Sequence, residues 1–166
     1  MWTVLCILIL HPAGLTTGAF YKYYPTKEML FDALVDLYVN HIYEIYDGIL
    51  VEFEKLSALD QTNNMSACAV DGMDQMVDYI YDHYDHFRLL FKCGDSGKYE
   101  AFIHNMVNKE MKATKKYMQI MKEPGMDLLS VDESLMHMIY TGFFCSVFQI
   151  IEHDMDRDIA KKMSIN

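Results

Sequence analysis

Apolar side chains recur at helical spacing along most of this chain. From residue 26 to about 56 the stripe runs through Leu30, Leu34 and Leu37, then Ile42, Ile45, Ile49, Phe53 and Leu56. Steps of three and four place these on one face of a helix. Asp36, Asn40, Glu44, Asp47, Glu52 and Glu54 fill the opposite face. Gly48 weakens this helix by roughly 1 kcal/mol relative to Ala without ending it. Residues 57–71 lose the periodicity, and Asp60-Gln61-Thr62-Asn63-Asn64 reads as a loop. The pattern returns at Met73, Met76, Val77, Ile80, Tyr84, Phe87 and Phe91, which predicts one helix from Gly72 to about Cys93-Gly94.

A further helix is expected over 99–122, with Phe102, Met106, Val107, Met111, Tyr117, Met118 and Met121 on its apolar side. Pro124-Gly125 ends it, 127–131 form a linker, and Asp132 can cap the next helix. Residues 134–151 contain no Asp, Glu, Lys or Arg. Their length suits a membrane span, but His137, Thr141, Ser146 and Gln149 favour a helix buried on two sides, one against its own domain and one against a partner. Residues 154–166 are short and charged, with Met155, Ile159, Met163 and Ile165 as anchors.

Ahead of the long stripe, residues 14–30 read as glycine, short helix, turn, long helix. Thr16 can cap the short helix, Phe20 and Tyr24 share a face, Pro25 stops it, and Thr26 can cap the long helix. A short helix with hydroxyls and small residues at its tip can enter a major groove, and Tyr and Lys beside it can reach phosphates.

These residues resemble the recognition helix and the start of the fourth helix of TetR-family transcriptional repressors. Leu15, Thr16, Gly18, Ala19, Phe20, Tyr21, Tyr23, Tyr24, Lys27, Glu28 and Leu30 fit that family's pattern. The resemblance implies an all-α, TetR-like fold. A partial helix-turn-helix DNA-binding region over 1–34 would precede an antiparallel helical effector-binding and dimerisation domain over 35–166. It implies DNA contacts from Thr16, Thr17 and Gly18 at the helix tip, with Tyr21, Lys22, Tyr23 and Lys27 holding phosphate oxygens. It also implies a homodimer through a helical bundle that includes 134–153, and a small, often apolar effector among the body helices. Candidate pocket positions are Tyr84, Phe87, Phe102, Met106, Phe143 and Phe144, each equally explicable as core.

The sequence departs from the family at its start. Thr3-Val4 and Ala13-Gly14 look like fragments of the family's second helix, but an apolar run from Cys6 to Leu10 and His11-Pro12 stand between them, and the first helix is missing. A truncated or altered N-terminus is therefore expected. The run from Trp2 to Leu10 is too short for a membrane span and lacks the basic flank of a signal peptide.

Composition bears on this reading in two ways. Apolar residues make up 52% of 166 residues, enough for a packed core. The 14 Met suit either an irregular core or an adaptable ligand surface. The net charge of −10 argues against nucleic acid, yet Lys22, Lys27, Glu28 and Asp32 sum to zero over residues 1–34. The lysines at 109, 112, 115, 116 and 122 form a basic stretch read as solvated surface rather than a nucleic-acid face. Cys6, Cys68, Cys93 and Cys145 are widely spaced, which suits buried cytosolic thiols.

Asp78, Asp82 and His86 lie at i, i+4 and i+8 and share a helix face. They could bind a divalent cation, but a solvated acidic face is the expectation. No catalytic set, metal site or cofactor is predicted, so the chain is not expected to be an enzyme. The functional expectation is a cytoplasmic, ligand-responsive, DNA-binding transcriptional regulator, a repressor released by a small apolar effector. Its alternative is a truncated dimerisation and ligand-binding protein without specific DNA binding.

Overall fold

The computed structural model describes residues 22–92, 97–122 and 132–165, and among these every regular element is helical. Six helices follow in order: α1 (Lys27–Glu54), α2 (Ala58–Asp82), α3 (Tyr84–Lys92), α4 (Lys98–Lys122), α5 (Glu133–Glu152) and α6 (Arg157–Ile165). The fold is all-α. The chain forms two compact units, Met1–Asp36 and Leu37–Asn166.

In the first unit, Lys22 and Tyr23 are helical, and a bend at Pro25 and Thr26 leads into α1. The Met29 amide donates to Thr26 Oγ1 at 3.2 Å, the capping bond expected of this threonine. Tyr24 and Leu34 pack against buried Leu30. The buried stripe of α1 runs Leu30, Phe31, Val35, Ile42 and Tyr46, whereas Leu37 is 70% exposed. Leu37 therefore does not belong to the stripe expected of it, because the helix turns Val35 inward instead.

The second unit is built around four long helices. Gly72 of α2 lies against Ile49 of α1, and the His41 ring of α1 lies 4.6 Å from that of Tyr79 of α2, so these two run antiparallel. Lys115 pairs with Glu133, while Phe102 meets Phe148, so α4 and α5 also run antiparallel. Helices α1 and α4 run parallel instead. Asn105 donates to Tyr43, Lys109 to Asp47 and Lys116 to Glu54, always 62 positions apart. A constant offset is the signature of parallel helices in register.

Two further expectations are overturned. Residues 57–71 are not a loop, because α2 begins at Ala58. Ser57 caps it by accepting from the Asp60 amide at 3.2 Å. Gln61, 2% exposed, donates to the Leu56 carbonyl, and Thr62 and Asn64 donate to backbone carbonyls four residues back. The polar residues that suggested a loop are spent on capping and back-bonding this helix. Second, 72–93 is not one helix. The ladder ends at His83 (φ −125°, ψ 35°) and restarts at Tyr84. Tyr38 of α1 stacks on His86 at 3.8 Å between ring centroids and lies 4.9 Å from His83, so an aromatic contact packs against the break.

Asp78 and Asp82 lie on an exposed face, as expected, and are also ion-paired across to α6. Arg157 of α6 donates to Asp78 at 2.5 Å and Asp82 at 2.7 Å, and Lys161 donates to Asp78 at 2.6 Å. The charge-assisted bonds from Lys161 and then Arg157 hold the Asp78 carboxyl below its ordinary range. The lysines of α4 are likewise partnered: Lys109, Lys115 and Lys116 pair with Asp47, Glu133 and Glu54. The turn before α6 is made by Asp154 at φ 48°, a conformation Asp tolerates. Tyr84, Arg88 and Lys92 of α3 converge on its carboxylate.

Helix α5 is capped as expected, with Asp132 Oδ1 accepting from the Ser134 and Leu135 amides. It is long and apolar enough, by length and composition, to cross a membrane. In this structure it packs against α3 and α4 along Met136, Phe144, Phe148, Ile150 and Ile151. Its other face leaves Leu135, Met138, Ile139 and Phe143 exposed.

Candidate functional site

The second unit carries an apolar cavity of about 920 Å³, partly open to solvent, between α1, α2, α4 and α5. Its origin can be traced to side-chain size. Cys68, Ala69 and Gly72 on α2 and Ala113 on α4 line it, and they are too small to fill the space between four long helices. The larger lining residues include the aromatics Phe53, Tyr117 and Phe144, the aliphatics Ile49, Leu50, Ile120 and Ile139, and five Met at 65, 73, 76, 118 and 136. Met adapts its shape to irregular space and to different occupants. Ile139 and Phe143, both about half exposed, belong to the wall and to the exposed face of α5 at once.

One polar cluster interrupts the apolar wall. The Tyr46 hydroxyl donates to Glu110 Oε2. Thr114 Oγ1 donates to Glu110 Oε1 at 3.3 Å and shares a 2.7 Å bond with the Tyr140 hydroxyl. Burial, then the neighbouring Glu110 charge, pushes the Tyr46 phenol far above its ordinary pKa, so it stays protonated and keeps donating. Burial also raises Tyr140. At the edge of the cavity Lys116 and Glu54 form an ion pair with each other. The cavity can therefore take a sizeable apolar molecule and offers it one acceptor-rich point. Among the described residues, no group of three or more His, Cys, Asp and Glu is placed to hold a metal ion.

Of the six candidate pocket positions, only Phe143 and Phe144 line this cavity. Phe87, Phe102 and Met106 are fully buried elsewhere in the core. Tyr84 donates to the Ile151 carbonyl and to Asp154. The sequence pattern does not point to Tyr46, Glu110, Thr114 or Tyr140. Glu110 carries the one usable signal: it sits one helical turn after Met106 and one before Thr114, a charge in the inward stripe of α4. His86 stacks with Tyr38 while Asp78 and Asp82 bond to α6, so this trio serves packing between helices.

Among the DNA-contact candidates, Lys22, Tyr23 and Lys27 are exposed, Tyr23 at 70%. Thr16, Thr17, Gly18 and Tyr21 lie outside the described residues. Cys68 and Cys145 are free thiols, and Cys68 lines the cavity. No family model, curated protein or solved structure matches this chain.

Proposed function

We propose that this chain is a ligand-responsive, DNA-binding transcriptional regulator of the TetR kind, a cytoplasmic homodimeric repressor released by a small molecule. The observation that carries the reading is the 920 Å³ cavity in the helical body. Its volume and apolar, aromatic wall suit a drug-sized ligand. The motif at residues 14–30 supports it from the sequence side. Helix α1 runs unbroken from Lys27 to Glu54, and its Tyr46, Ile49, Leu50 and Phe53 wall the cavity. An occupant that moves those residues acts on the same helix that carries Lys27, a coupling between distinct sites. The exposed apolar row Leu135, Met138, Ile139 and Phe143 supports dimerisation through α5, since a face of this kind calls for cover.

The net charge of −10 favours a second reading, a dimeric ligand-binding protein without specific DNA binding. Electrophoretic retardation of DNA flanking the coding region separates the two. The first reading expects a shifted band that Lys27→Ala weakens, with the salt slope reduced by about 1 for the lost phosphate contact. Absence of any shift, with ligand binding intact, leaves the second reading.

A further inference from the structure

The chemistry of the cavity wall narrows what it holds, on the premise of the preceding section that the cavity is a ligand site. Charge bookkeeping is simple. Among the described lining residues, Glu54, Glu110 and Lys116 are the acidic and basic side chains. Lys116 is paired with Glu54. Among the described residues no cation pairs with Glu110, whose oxygens accept from the Tyr46 and Thr114 hydroxyls. A carboxylate offers about four acceptor positions and donates nothing, so roughly two remain for an occupant. Both hydroxyls orient the carboxylate without neutralising it. A charge held half-buried beside apolar walls is costly until an opposite charge joins it. Aromatic rings stand beside the cluster, since Phe144 lies 6.0 Å from the Tyr46 ring and Tyr140 bonds Thr114, and ring faces attract cations.

We infer that the cavity binds a lipophilic monocation, a quaternary ammonium or protonated amine with a bulky apolar body, with Glu110 as its counter-ion. The apolar body fills the Met-lined space, and the cationic head sits at the Glu110, Tyr46 and Tyr140 cluster. An anionic amphiphile of the same shape meets the Glu110 charge and finds no free cation. A neutral one gains the apolar contacts alone.

Three ligands with one alkyl chain test this: decyltrimethylammonium, decanol and decanoate, each below its aggregation threshold, titrated into the full chain by calorimetry. The expected result is one cation per chain, bound about tenfold or more tighter than decanol, with decanoate weakest. In Glu110→Gln the cation should lose about that tenfold while decanol is unchanged. Ala113→Phe, which fills the cavity, should abolish binding of cation and alcohol together. Cation binding that survives Ala113→Phe lies on the acidic surface and overturns the inference. Equal affinity for cation and alcohol, or a preference that survives Glu110→Gln, also overturns it while leaving the ligand-site reading intact. If none of the three binds, both fall. Should Glu110→Gln fail to fold, the ranking of the three ligands on the unaltered chain decides alone.

Discussion

The two ends of the four-helix body are built from similar residues and do opposite things. At one end Phe102 meets Phe148 at 4.9 Å, and Phe91 stacks on Phe148 at 5.4 Å. Fully buried Ile42, Ile80, Phe87 and Ile151 complete that core. At the other end, small residues on α2 and α4 and flexible Met leave 920 Å³ unfilled. Tyr46 and Phe144, 6.0 Å apart edge to face, stand between the two. A rigid aromatic core supplies the stability, and that lets the same helices tolerate a hollow at their other end. Hydrophobic content alone does not separate the two. Side-chain volume and rotamer freedom do, because interiors lose stability in proportion to the space left empty.

The largest expected contrast comes from truncating one Phe at each end. Phe102→Ala should cost about 3–5 kcal/mol in urea denaturation, whereas half-exposed Phe143→Ala should cost less than about 1 kcal/mol. Equal losses would break the comparison. Next is Tyr46→Phe, which leaves Glu110 short of a donor next to the hollow; about 1–3 kcal/mol should be lost by the same measurement.

A smaller effect, about 1 kcal/mol or less, is expected for Arg157→Ala, since its bonds to Asp78 and Asp82 are well exposed and screened by solvent. Its pH dependence has a definite sign. The Asp78 carboxyl lies below its ordinary 3.8 in the folded chain, so its contribution is complete above that value and is lost as pH falls through the depressed one. Protection of the α6 amides, taken relative to the intrinsic exchange rate at each pH, should therefore fall in acid in the unaltered chain and be a few-fold lower already near neutrality in Arg157→Ala. An α6 equally protected in both would show that packing, not charge, holds it.

The smallest effect sharpens the comparison most. A Cβ at Gly72 would meet Ile49 Cδ1 and Cγ2 at 3.0 Å. Ile49 lines the hollow and has room to give, while Ala gains about 1 kcal/mol of helix propensity. Gly72→Ala should leave the melting temperature unchanged or raise it slightly. A clear fall would mean that the wall beside Ile49 is as stiff as the aromatic end.

Helix existence was legible where burial is one-sided and periodic, as along α1, α4 and α5. It was not legible where polar residues stabilise a helix through capping and back-bonding. Ser57, Gln61 and Asn64 carry turn composition and still begin α2. The interruption at His83 could not be read either, because the aromatic contact packed against it comes from Tyr38, far away in sequence. The abundance of Met hinted at an adaptable pocket, and five of them line one, but composition carries no position.

By itself, then, the sequence determined an all-α chain, the caps at Thr26 and Asp132, and an apolar helix over 134–151. These depend on neighbours within a few residues, which spacing and capping rules describe. Only the tertiary structure decided that α1 and α4 lie parallel in a 62-residue register and that Arg157 and Lys161 engage Asp78. It alone set Glu110 beside a hollow, with no cation paired to it among the described residues. Each of these joins groups remote in the chain, and whether a buried-stripe residue meets a ring, an ion or empty space depends on what the facing helix presents.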